Sequence, residues 1–85
     1  MKLKVLYFAS IREKVGRDAE EIDVPADVAT VAALCSHLRS RGANYKNAFS
    51  EKTLLRAAVN QDMAQPSARI QAGDEVAFFP PVTGG

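Results

Sequence analysis

The residues best suited to chemistry are the last eight, Phe78-Phe79-Pro80-Pro81-Val82-Thr83-Gly84-Gly85. Two prolines come directly after an apolar run. Neither can donate to a sheet and both favour extended backbone, so they stop a ladder and aim the last four residues away from it. Val82 to Gly85 can then reach about 14 Å at roughly 3.5 Å per residue. Without a Cβ on Gly84 and Gly85, the walls of a narrow cleft can approach the backbone closely, and the terminal carbonyl is open to a nucleophile. A carboxylate is a poor electrophile and needs activation. An acyl-adenylate formed with ATP supplies it, and a sulfur donor displacing AMP would leave a thiocarboxylate on Gly85. The competing reading of the same residues is a frayed terminus without a role.

A second set of residues bears on partners. Strand parity in Lys2 to Ala9 puts Leu3, Val5 and Tyr7 on one face and Lys2, Lys4, Leu6 and Phe8 on the other. The two lysines mark the second face as wet, so Leu6 and Phe8 lie outside. In Glu75 to Phe79, Glu75 does the same for Ala77 and Phe79. If the first and last strands are neighbours, Leu6, Phe8, Phe79, Ala77 and Met63 form an outward apolar patch, which on a chain of low net charge marks a partner surface. The alternative is that Ile11 to Val15 covers Leu6 or Phe8 as a minor core. Arg12 is either a rim contact of that surface or a solvated charge. Cys35 falls on an apolar helix stripe, where packing is favoured over catalysis. His37 is alone, with no second ligand at metal spacing. Glu20 and Glu21 point to opposite faces and cannot act together. No P-loop, dinucleotide fingerprint or nucleophile–base set is present.

The elements that position these residues emerge from periodicity. Lys2 to Ala9 and Glu20 to Val24 alternate and read as an antiparallel pair, with a turn region at Gly16 and a stop at Pro25. Ile22 and Val24 face in; Glu21 and Asp23 face out. From Thr30 to Arg41 the period changes, and Val31, Leu34, Cys35 and Leu38 make a helical stripe. Thr30 suits the N-cap and Gly42 a left-handed C-terminal position. Ala43 to Lys52 reads as loop or short helix. Leu54 to Val59 reads as a strand with Leu55, Ala57 and Val59 on one side. Asn60-Gln61-Asp62 is turn-like, Met63 to Ser67 carries little signal, and Ala72-Gly73-Asp74 turns into the final strand, Glu75 to Phe79. This order predicts an α+β fold: a mixed sheet packed on one main helix, the ubiquitin-like β-grasp. Residues 1–81 form the domain and residues 82–85 a flexible Gly-Gly tail.

Composition narrows the function. The chain has 85 residues, a size for one small domain rather than an enzyme with a deep enclosed site. Apolar residues make up 47%, enough for a core. Eleven basic against ten acidic residues leave a net charge of +1, which gives no electrostatic case for nucleic acid or an anionic membrane. One cysteine excludes an internal disulfide framework and favours a reducing, cytoplasmic setting. The apolar run after Met1 meets charge by Arg12, too soon for a signal peptide or a span.

With these residues in place, the chain resembles the small subunits of molybdopterin synthase, a ubiquitin-like sulfur-carrier family. The matching stretches are Val5-Leu6-Tyr7-Phe8-Ala9 with Arg12-Glu13 and Gly16, then Ala58-Val59-Asn60-Gln61, then Gly73 through Gly85. Sulfur carriers for thiazole or tRNA thiolation share the terminal glycines but usually not the Phe-Phe-Pro-Pro approach; such a carrier, or a protein modifier joined through Gly85 to lysines, remains the alternative, with an inert β-grasp interaction domain behind them. The resemblance implies that an adenylating enzyme like the ubiquitin activators consumes ATP to activate Gly85, and that a sulfur-donor protein completes the thiocarboxylate. It implies that Val82, Thr83 and Gly84 insert into the large subunit of a heterotetramer, where the sulfur passes to cyclic pyranopterin monophosphate during molybdenum cofactor synthesis. Phe8, Arg12, Met63 and Phe79 would then contact the partner. The chain would bind no cofactor or metal itself, and the catalytic side chains would belong to the large subunit.

Overall fold

The computed structural model describes residues 1–50, 52 and 54–81. The predicted tail, Val82, Thr83, Gly84 and Gly85, lies outside the described residues, as does the reading of it as flexible. The order of elements is β1 (Lys2–Tyr7), α1 (Ala9–Val15), β2 (Ala19–Asp23), α2 (Val31–Arg39), α3 (Ala43–Ala48), β3 (Arg56–Val59), β4 (Asp62–Ala64) and β5 (Glu75–Phe79). The five strands form one mixed sheet in the order β2-β1-β5-β3-β4. β1 pairs antiparallel with β2 and parallel with β5, and β3 pairs antiparallel with both β5 and β4. This is the β-grasp expected from the order of the elements, with the last strand beside the first.

The alternating strands behave as their parity requires. Leu3, Val5 and Tyr7 of β1, Ile22 of β2, and Val76 and Phe78 of β5 are buried on the inner face, where Val31, Leu34 and Leu38 of α2 meet them. Phe49, just after α3, enters the same core and stacks edge-on against Phe78, 4.9 Å between ring centres. Such pairs add about 1 kcal/mol beyond the area they bury. Ala57 is buried, and Leu55 and Val59 pack against the core from the same side of β3.

α2 begins as predicted, the Thr30 Oγ1 accepting from the Ala33 N–H at 3.1 Å. Its end differs. Ser40 closes the helix in a right-handed conformation, φ −81°, with its hydroxyl donating to the His37 carbonyl and the Arg41 N–H to that of Leu38. The last turn is thus satisfied without a left-handed residue. Gly42 does adopt a positive φ, +155°, but as the N-cap of α3, where it reverses the chain between two helices.

Two elements go beyond the sequence reading. α1 buries only Ile11 and Val15, too few positions for a period to show. It ends on Gly16 at φ +88°, whose N–H donates to the Arg12 carbonyl at 2.8 Å. Ile11 and Val15 join the main core, leaving Phe8 47% exposed, so the minor core over Leu6 or Phe8 is not formed. β4 is three residues long and turns back from β3 through Asn60 and Gln61, both at positive φ (50° and 72°), as a two-residue hairpin of primed type.

Candidate functional site on the outer sheet face

The outer face is divided by residue type along the strands. One row crosses all five: Ala19 of β2 opposes Leu6 of β1, Leu6 opposes Ala77 of β5, Ala77 opposes Ala58 of β3, and Ala58 opposes Met63 of β4. Every member is apolar. Two residues back along the strands the row reads Glu21, Lys4, Glu75. Asn60 extends it, its side-chain oxygen accepting from the Glu75 N–H at 3.0 Å and its amide donating to Asp74 at 3.0 Å. Two residues forward lie Phe8 and Phe79, the latter opposite Arg56. The apolar zone therefore sits at the end of the sheet from which the chain leaves β5 into Pro80 and Pro81.

Of the residues predicted to meet a partner, Phe8 and Phe79 lie on this face by parity, Phe79 half-buried and Phe8 exposed. Met63 is 61% exposed at the free edge of the row. Ala58 belongs to the same patch without having been expected there from its own strand's pattern; it is nearly buried between Ala77 and Met63. Arg12 lies one turn into α1, exposed, its Nε 3.9 Å from an Asp18 carboxylate oxygen. A pair that long between exposed groups contributes little.

Behind the patch, the inner face carries a polar hub. Glu20 occupies an inward position of β2, its side chain only 7% exposed. The Tyr7 and Tyr45 hydroxyls donate to one carboxylate oxygen at 2.8 and 2.6 Å. Arg17 and Arg41 meet the other at 3.1 and 3.2 Å. Arg41 also lies over the Tyr45 ring, 4.9 Å from its centre. Burial alone would raise the Glu20 carboxyl, but the two tyrosine hydrogen bonds and the two arginines outweigh it and hold it below the usual carboxylate range. The same burial, with the bond to Glu20 and its charge, raises both tyrosines. The signal for this hub was one charged residue at an inward strand position; its partners Arg41 and Tyr45 stand outside any readable period.

Cys35 is half-buried against the core, and burial pushes its thiol up to about 11 against the opposing charge of Arg39. It is a protonated packing group at neutral pH, not a nucleophile. Among the described residues no group of three His, Cys, Asp or Glu is placed to hold a metal ion, and no helix is long and apolar enough to cross a membrane.

Comparison with known proteins agrees with this geometry. A family model described as the ThiS family matches residues 5–85. The molybdopterin synthase sulfur carrier subunit of Escherichia coli is 49% identical over 83 residues, covering 98% of this chain and 99% of that one. A solved structure of a putative molybdopterin converting factor subunit 1 from Pyrococcus furiosus superposes with a TM-score of 0.80 at 32% identity, covering 96% of this chain and 99% of the other. The fold is also shared, at TM-score 0.64, 20% identity and full coverage of both chains, with a protein–protein complex of subunits 1 and 2 of molybdopterin-converting factor from Helicobacter pylori.

Proposed function

The chain belongs to the ThiS family, and on that premise we propose that it is the sulfur-carrier subunit of a molybdopterin synthase, with Gly85 as its reactive residue. The Gly85 carboxylate attacks the α-phosphate of ATP, releasing pyrophosphate and forming an acyl-adenylate on a separate adenylating enzyme. Sulfide (HS⁻) released by a sulfur-donor protein then attacks the acyl carbon, the C–O bond to AMP breaks, and loss of the S–H proton leaves a thiocarboxylate. Val82, Thr83 and Gly84 carry this group into the large subunit, which binds cyclic pyranopterin monophosphate and supplies the catalytic side chains. This chain contributes the sulfur and the docking face, and works in the cytoplasm without a cofactor of its own.

The observation that carries the reading is the position of the apolar row. It crosses the whole sheet at the end where β5 runs out into Pro80-Pro81, so a protein seated on Leu6, Phe8, Met63, Ala77 and Phe79, with Arg12 at the rim, stands beside the departing chain. The sulfur-carrier role of the Escherichia coli relative supports the same conclusion.

The test is intact mass after incubation with ATP, the adenylating enzyme and a sulfide source. A gain equal to sulfur minus oxygen, mapped to Gly85 by fragmentation, is expected. No gain, with an enzyme shown to be active on another carrier, would count against the proposal. Deleting Gly84 and Gly85 should abolish sulfur transfer and leave thermal unfolding unchanged, since both residues come after the last strand.

A further inference from the structure

A groove of about 870 Å³ opens on the other side of the β4 edge, between α2 and the β3–β4 hairpin. Its walls include Cys35 and Arg39 of α2, Leu54 ahead of β3, Arg56, Met63 and Pro81. It is joined to the outer sheet face. Met63 ends the apolar row and also lines the groove; Arg56 stands opposite Phe79 on the outer face and lines it too. Pro81 brings the start of the tail to the same place. Leu54 is 76% exposed, the most exposed large apolar side chain among the described residues. The charged side chains lining the groove are Arg39 and Arg56, with no carboxylate among its described lining residues.

We propose that the large subunit docks not only on the sheet face but around the β4 edge, seating an apolar side chain against Leu54 and Met63 with a carboxylate of its own on Arg56. The inference rests on the function proposed above and adds a second contact zone to it. Three observations select that occupant. The groove shares Met63 and Arg56 with the outer sheet face. Pro81 lines the groove, so a cleft that receives residues 82–85 stands within about 14 Å of it, at roughly 3.5 Å per residue. The lining is mostly apolar with Arg56 at its outer-face edge, which fits an apolar segment bearing a carboxylate rather than a basic one.

The experiment is titration calorimetry of the full-length chain with its large subunit, using Leu54→Asp, Arg56→Glu and, as a control for the sheet face, Phe8→Asp. Leu54 is too exposed for its replacement to unfold the domain, and thermal unfolding checks this. Leu54→Asp should weaken binding tenfold or more with an unchanged melting temperature. Arg56→Glu should weaken it severalfold, with a shallower salt dependence. Wild-type affinity for Leu54→Asp, alongside lost affinity for Phe8→Asp, overturns the groove and leaves the sheet-face reading standing. Wild-type affinity for Phe8→Asp instead sinks the sheet-face reading on which the groove depends. If Leu54→Asp changes the sedimentation of the chain alone, the groove takes a second copy of this chain and the proposal fails.

Discussion

Tyr7 and Phe8 are neighbours in sequence, as are Phe78 and Phe79, and each pair sends one ring to either side of the sheet. Tyr7 and Phe78 are buried, locked edge-on against Phe49 at 6.1 and 4.9 Å. Phe8 and Phe79 stand on the outer face beside the exit of the chain. The four side chains are chemically alike, yet one pair holds the domain together and the other stands on the outer face that the proposed function assigns to a partner. The period of two along a strand is the whole cause of that division. The inner rings pack within the core, whereas no helix among the described residues covers the outer ones, since α1 places Ile11 and Val15 in the main core.

That contrast can be broken most forcefully from the inside. Phe78→Ala should cost about 3–5 kcal/mol, because the ring is fully buried and touches Phe49; chemical denaturation measures it, and a loss below about 1 kcal/mol would contradict the assignment of this ring to the core. Glu20→Gln should cost less, about 1–3 kcal/mol at neutral pH, since the tyrosine hydroxyls keep an acceptor but the arginines lose a charge. This effect has a pH signature. The folded Glu20 carboxyl is depressed, so its contribution is present above its unfolded pKa and is lost as pH falls through the folded value. The gap between wild type and Glu20→Gln should therefore shrink in acid. At the other extreme, the raised Tyr7 and Tyr45 hydroxyls stay protonated in the fold while the unfolded chain ionises, so wild-type stability should fall as pH climbs past about 10. A gap that widens in acid would disprove the hub.

Gly16→Ala sharpens the comparison from the backbone. Nothing lies within 4 Å of the added Cβ, so the only cost is the left-handed conformation, about 1–2 kcal/mol. A larger loss in thermal unfolding would mean that α1 matters to the core beyond its two apolar residues. The smallest stability change belongs to the outer face: Phe8→Asp should stay within about 0.5 kcal/mol. Its consequence should appear instead in binding to the large subunit. A variant that unfolds as readily as Phe78→Ala would erase the distinction between the two rings.

Much of this was legible in the residues. Alternation in β1, β2 and β5 and the i, i+3, i+4, i+7 stripe of α2 predict both the elements and their buried faces, and Lys2, Lys4 and Glu75 identify the wet side on which Phe8 and Phe79 fall. α1 and β4 escape because a seven-residue helix with two buried positions and a three-residue strand are shorter than the window over which a period becomes visible. Gly42 misleads for a related reason. A glycine after a helix has a left-handed conformation in prospect, but whether it ends that helix or starts the next depends on how Ser40 satisfies the last turn.

The local pattern settled which side chains turn inward and where the main helix begins. Folding in three dimensions decided what those faces meet. The alignment of Ala19, Leu6, Ala77, Ala58 and Met63 into one row, and the convergence of Tyr7, Arg17, Arg41 and Tyr45 on Glu20, depend on strand register and helix placement. Those arise from contacts between residues up to 71 positions apart, as in Leu6 with Ala77. Periodicity acts over a few residues and carries no information about such distances; only the packing of the whole core selects among the registers that each strand would accept on its own.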